Sequence, residues 1–217
     1  MLINSKGVDN FVNNVGIMDV QIFHNPRKFV VKNTKTKRML GAILKKKLSD
    51  NQVANIFINA IFDSVDNGFT EVALLINEDV AFVKSPNIDP KANNEFAMIV
   101  IVGNLSYLES TFDPEQASKV EEIVFEKLAT IYEMSVLDFK KLIREYQHTI
   151  ARLNHPSKNM LYGMSKAIFC KYKLNEFQDD YFKRMQAPNP LFLKRMDDVM
   201  QNFIWNWDAF FKKYKIN

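Results

Sequence analysis

The spacing of apolar residues changes several times along the first half of the chain. Three stretches have the three-to-four-residue spacing of an amphipathic helix, namely 8–15, 39–48 and 53–61. Ser49 or Asp50 is a suitable N-cap for the last of these. Two short runs, 19–23 and 28–31, are β-prone and flank a plausible hairpin turn at 24–27. Helices and short strands are therefore both predicted before residue 50.

The middle of the chain predicts strands. The runs 71–76, 80–84 and 96–102 are short, apolar and rich in β-branched residues, which favours strand over helix. Asp66-Asn67-Gly68 is a breaker that precedes them, and Asn77-Glu78-Asp79 can turn the first run into the second. We therefore predict an α+β region over 1–111, in which a small, mainly antiparallel sheet packs with helices.

The second half has helical spacing throughout. Helix start signals recur at Asp113-Pro114, Ser135 and Asn189-Pro190, and proline follows the cap at the first and third of these. Seven apolar residues near the end step alternately by three and four, which predicts one long last helix: Leu193, Met196, Met200, Phe203, Trp207, Phe210 and Tyr214. We predict a bundle of about five helices over 112–217, in a fold of class α+β, whose two regions can share one core.

Composition indicates a folded intracellular protein. Of 217 residues 47% are hydrophobic, with 18 Phe and 10 Met, which is ample for a packed core. Cys170 is the single cysteine, so no internal disulfide can form and a reducing, cytoplasmic location is expected. Residues 1–7 lack the apolar region of a signal peptide, and no apolar run is long enough to span a membrane.

Charge is distributed unevenly. Between residues 20 and 49 there are nine basic residues and no acidic one: Arg27, Lys28, Lys32, Lys35, Lys37, Arg38, Lys45, Lys46 and Lys47. The following stretch, 50–112, carries nine acidic residues against two lysines. The basic segment fits three interpretations: a solvated face or one covered by the chain's own acidic stretch, a site for nucleic-acid phosphates, or a site for an acidic protein. Lys45, Lys46 and Lys47 are expected on a helix.

The sequence carries no recognisable catalytic pattern. Phosphate-binding glycine loops, the nucleophile elbow, the paired-histidine zinc motif and cysteine pairs are all missing. The three histidines are scattered, and the acidic pairs at 78–79, 179–180 and 197–198 suit a turn or solvated helix faces better than acid–base chemistry. We therefore expect a protein that is not an enzyme and needs neither a cofactor nor a metal.

Aromatic residues are concentrated in the last thirteen positions. Most of them suit the core of the helical bundle, although aromatic side chains also anchor protein interfaces. Trp205 lies off the main apolar seam, so it is the best candidate for a contact with a partner. Phe211 widens the apolar seam and is the second candidate. A protein partner or a homo-oligomer is expected, and nucleic acid is the alternative.

One short segment has a resemblance. Ala54-Asn55-Ile56-Phe57-Ile58-Asn59, within 44–59, resembles a helix in the helicase-loading proteins of T4-type bacteriophages, which are small, basic and mostly helical. The resemblance assigns no role to any residue, and the β-prone middle departs from an all-helical pattern. The composition, rich in Asn, Lys, Phe and Met, is typical of an AT-rich phage genome. We expect a non-catalytic viral assembly or adaptor protein, or else a nucleic-acid-binding accessory factor for phage-type replication or transcription.

Overall fold

The computed structural model describes residues 45–217, and this part of the chain is mainly helical. The α-helices are α1 (Asp50–Asn77), α2 (Asn94–Leu105), α3 (Leu108–Thr111), α4 (Pro114–Ile131), α5 (Val136–Asn154), α6 (Met160–Lys171), α7 (Asp180–Met185), α8 (Pro190–Met200) and α9 (Trp207–Lys213). Two 3₁₀ turns occupy Leu174–Phe177 and Gln201–Phe203. Two strands of three residues each, β1 (Lys46–Leu48) and β2 (Tyr214–Ile216), pair in parallel.

The predicted α+β class with an antiparallel sheet is wrong. Residues 71–76 lie inside α1, residues 96–102 lie inside α2, and residues 80–84 form a loop with one isolated bridge, Phe82 to Gln178. The run in α2 misled the prediction because every residue from Phe96 to Leu105 is buried. A helix that is apolar on all sides lacks the periodicity that distinguishes it from a buried strand.

Helix α1 continues through the predicted breaker at residues 66–68. Its start is as expected, with Ser49 and Gln52 forming a reciprocal capping box. Gly68 lies in the helix interior, and the close packing of Phe203 requires a glycine there. A Cβ atom at this position would stand 2.7 Å from Cζ of Phe203. This glycine therefore allows a close approach of an aromatic ring and does not turn the chain.

Replacing Gly68 with alanine tests this packing role. Alanine gains about 1 kcal/mol of helix propensity, but forcing Phe203 aside costs about 1–3 kcal/mol, so we expect a net loss of stability. Asn67 is exposed on the same helix turn, and Asn67→Ala serves as the control because it gains propensity without a clash. Urea unfolding of both variants measures the difference. Equal stabilisation by the two substitutions would contradict the packing role.

The last predicted helix is interrupted. It ends as α8 at Met200, passes through a 3₁₀ turn and resumes as α9 at Trp207. Asn104 of α2 holds the interruption, because its side chain donates to the Phe203 carbonyl at 2.8 Å and accepts from the Trp205 amide at 2.7 Å. The spacing of apolar residues predicted a continuous helix. Spacing gives no sign that the side chain of a distant residue, Asn104, binds the backbone at this point.

One hydrophobic core extends over the described part of the chain. Its buried residues run from Leu48 before α1 to Phe210 in α9. Predicted helix starts at Asp113 and Ser135 are found as capping residues of α4 and α5. The division at residue 111 stays a prediction. None of the helices within 45–217 is long and apolar enough to cross a membrane.

Candidate interaction surfaces

Pairing of β1 with β2 gathers six lysines from the two ends of the described chain. Lys46 is in register with Tyr214, and Lys47 is in register with Lys215. The resulting lysine cluster consists of Lys45, Lys46, Lys47, Lys212, Lys213 and Lys215, all of which are exposed. The basic run in the sequence predicted the first three of these residues but not the other three, which lie about 170 residues away in the chain.

The charges of the lysine cluster are not neutralised within residues 45–217. None of its six ammonium groups takes part in an ion pair there. Asp50, the nearest acid in the sequence after β1, accepts a hydrogen bond from Gln116 instead. Neighbouring like charges on paired strands are unfavourable, so a bound polyanion would relieve their repulsion.

The predicted helix over Lys45, Lys46 and Lys47 is wrong, because Lys46 and Lys47 lie in strand β1. Their side chains therefore project from an extended chain and do not spread around a helix. The remaining predicted residues lie outside the described part of the chain: Arg27, Lys28, Lys32, Lys35, Lys37 and Arg38. The predicted elements at 8–15, 19–23 and 28–31 lie outside it as well.

A second surface is apolar. Five of the seven large apolar side chains exposed within the described chain occur in two segments, the loop after α1 and the stretch from α7 to α8. They are exposed by 57% to 90%, and we call them the apolar patch: Val80, Val83, Tyr181, Met185 and Leu191. The patch was not predicted because residues 80–84 were expected in a strand.

Specific contacts join the two segments that carry the apolar patch. The Val83 amide donates to the Phe177 carbonyl at 2.8 Å, and the adjacent Phe82 ring packs on Phe192 at 5.0 Å. Arg195 of α8 makes two hydrogen bonds to the carboxylate of Asp79, at 2.8 and 2.5 Å. The two segments that carry the exposed residues are therefore joined directly by these contacts.

Helix α1 separates the two surfaces. The lysine cluster immediately precedes its N-terminus, and Val80 and Val83 follow its C-terminus. With 28 residues and a rise of about 1.5 Å each, α1 is roughly 40 Å long. The two surfaces can therefore be occupied at the same time without interfering.

The two aromatic residues predicted to contact a partner lie elsewhere. Trp205 is in the core, 3% exposed, and its ring packs against Trp207 and Phe210. Phe211 is half-buried against Trp207 and Phe112. Their partner role stays a prediction, and for Trp205 it would require the core to open. The exposed apolar patch is a more direct candidate for contact.

A polar cluster links α2, α5 and α6. Tyr146 donates to Glu95 at 2.5 Å, and Lys171 lies 3.1 Å from the same carboxylate and 4.0 Å from the centre of the Tyr146 ring. Burial, together with the hydrogen bond and charge of Glu95, raises the pKa of the Tyr146 hydroxyl above its usual value. Tyr146 therefore stays protonated and acts as a donor that ties the helices together.

The predicted acidic pairs contribute to structure. Asp79 binds Arg195, Asp179 caps α7, and Asp197 accepts from the buried Ser165 hydroxyl. An open depression of about 420 Å³ is lined by His155, Pro156, Ser157, Asn159, Tyr162 and Lys166. Within residues 45–217 no group of His, Cys, Asp and Glu could hold a metal ion.

Comparison with protein-family models, curated proteins and solved structures gave no match to this chain. What the protein binds must therefore be inferred from its own surfaces. The lysine cluster and the apolar patch differ in chemistry, since one is purely cationic and the other mixes apolar and aromatic side chains. The two surfaces therefore offer different kinds of contact.

Proposed function

We propose that the protein is a non-catalytic assembly protein that acts through protein–protein contacts at the apolar patch. The observation that carries this proposal is the gathering of five exposed apolar side chains on segments that the fold holds together. Groups of large exposed apolar side chains on a soluble protein usually mark an interaction site. Tyr181, Met185 and the adjacent Arg184 are also of the residue types enriched at interfaces.

The occupant that we propose for the apolar patch is a second copy of this chain. Helix α7 has exposed Asp180 in its first turn and exposed Lys183 and Arg184 in its last turn. Neither Asp180 nor Arg184 forms an ion pair within the described chain. Two α7 helices packed antiparallel about a twofold axis would place Asp180 of each copy near Arg184 of the other, with Tyr181 and Met185 between them.

Replacing Leu191 with glutamate tests the proposed contact. Leu191 and Leu137 are both 65% exposed, and each is the second residue of its helix. Only Leu191 belongs to the apolar patch, so Leu137→Glu is a matched control. Sedimentation velocity over a concentration series should show self-association of the unmodified protein and of Leu137→Glu. We expect Leu191→Glu to raise the dimer dissociation constant at least about tenfold, since a buried carboxylate is costly.

Exchanging the charges of Asp180 and Arg184 distinguishes a second copy of this chain from any other protein as the occupant of the apolar patch. Asp180→Arg should weaken self-association because it sets two cations against each other. Adding Arg184→Asp should restore self-association, since the exchanged charges again pair across the twofold axis. Circular dichroism controls for folding of α7. A monomer at all concentrations, or a double variant as weak as the single one, would overturn the second copy as occupant.

The proposed role is that of a viral, bacteriophage-like assembly factor, a source suggested by composition alone. The alternative function, a nucleic-acid-binding accessory factor, draws on the lysine cluster and not on the apolar patch. The two functions are compatible, because the surfaces lie at opposite ends of α1.

A further inference from the structure

We propose that the lysine cluster is a binding site for the phosphate backbone of nucleic acid, with Lys212, Lys213 and Lys215 as functional members of the site. This proposal rests on the parallel pairing of β1 with β2, which puts Lys47 beside Lys215. Two groups of three lysines that are remote in the sequence are thereby brought to the same end of the molecule, with Lys47 and Lys215 in register. A phosphodiester chain offers regularly spaced anions that suit such a surface.

The composition of the cluster favours nucleic acid over an acidic protein. Lysine is depleted at protein–protein interfaces, where arginine and aromatic residues are enriched. The lysine cluster contains no arginine, and its six cations stand on long flexible side chains that adapt to phosphates as point charges. The apolar patch has the opposite character, so the molecule separates the two kinds of contact.

The surroundings of the cluster indicate contact with the backbone and not with bases. Tyr214 is the aromatic residue in the paired strands, and it is half-buried against Phe210 at 5.1 Å. Its ring is therefore engaged in the core and does not form a stacking platform for bases. Binding at this site should be independent of sequence and strongly dependent on salt.

The test measures DNA binding of the full chain by fluorescence anisotropy in a salt series. The probe is a labelled duplex of about 20 base pairs, and each neutralised phosphate contributes about 0.9 to the slope of log affinity against log salt. The variant combines Lys212→Gln, Lys213→Gln and Lys215→Gln. We expect it to lower the slope by about 2 to 3, even though Arg27, Lys28, Lys32, Lys35, Lys37 and Arg38 are unchanged.

A matched control removes the same charge elsewhere. Lys91→Gln, Lys141→Gln and Lys194→Gln replace three exposed lysines outside the cluster and should change the slope by less than about 1. Equal effects of the two triple variants, or none, would overturn the proposal. Competition by poly-glutamate as effective as that by DNA of equal charge would overturn it in favour of an acidic protein.

The same triple variant also distinguishes this proposal from the assembly role. Its self-association in sedimentation velocity should equal that of the unmodified protein, because the lysine cluster lies at the other end of α1 from the apolar patch. A lower salt slope of DNA binding together with intact self-association supports the separate site. Loss of both properties together would overturn the separation and indicate a change in the fold.

Discussion

Replacing Asn104 with leucine is expected to lower the free energy of unfolding by about 3 kcal/mol, since each buried polar group left without a partner costs about 1–3 kcal/mol. Asn104 is 1% exposed, and leucine has the same number and branching of side-chain heavy atoms but cannot form hydrogen bonds. The substitution removes the acceptor of the Trp205 amide and the donor to the Phe203 carbonyl. These two groups lie at the interruption between α8 and α9, so the last segment loses both of these hydrogen bonds to α2.

Asn154 provides a control for the Asn104 experiment. It is also a buried asparagine, but its side chain accepts from Ser157, three residues away, and so connects no distant segment. Asn154→Leu should cost about 1 kcal/mol, the usual value for one hydrogen bond. Chemical unfolding with tryptophan fluorescence measures both variants. Equal losses for the two substitutions would show that the long-range bonds of Asn104 are not special.

Replacing Arg195 with methionine is expected to cost about 3 kcal/mol, because it leaves a buried carboxylate without its counter-ion. The side chain of Asp79 is 2% exposed, whereas that of Arg195 is 38% exposed. Removal of the arginine therefore strands the charge that water cannot reach. The change also removes a direct contact between the two segments that carry the apolar patch, so self-association through the patch should weaken together with stability.

Two further variants define the role of the Asp79–Arg195 pair. Arg195→Lys keeps the positive charge but cannot form the two parallel hydrogen bonds, so an intermediate loss of about 1 kcal/mol is expected. Combining Asp79→Asn with Arg195→Met removes both charges and should be more stable than Arg195→Met alone. Thermal unfolding of the unmodified protein, the two single variants of Arg195 and the double variant gives the order of their stabilities. A double variant less stable than Arg195→Met would show that the stranded charge is not the cause.

How much of the fold the sequence predicts depends on whether local signals decide the structure. Caps such as Ser49 and Asp113 were predictable because their hydrogen bonds span three residues. Gly68 was misjudged because its reason, the Phe203 ring, lies far away in the sequence. The buried helix α2 was misjudged because complete burial removes the periodicity on which prediction depends.

The candidate surfaces show the same limit. Lys45, Lys46 and Lys47 were evident as a run of charge, but nothing in the sequence connects them with Lys212, Lys213 and Lys215. A three-residue strand carries too little pattern to announce a partner about 170 residues away. The apolar patch was also hidden, since an apolar residue such as Val80 looks the same in the sequence whether it is covered or exposed.

The pairing of β1 with β2 has a consequence for how the molecule opens. Three residue pairs bring the two ends of nearly the whole described chain together. Few hydrogen bonds therefore offset the conformational entropy that is lost when these ends meet. Because only three residue pairs hold it, we expect this contact to open more readily than the helical core. Opening it would divide the lysine cluster into two groups of three. Ligand binding and pairing of the two strands are therefore linked equilibria. A polyanion that binds lysines of both strands would stabilise their pairing.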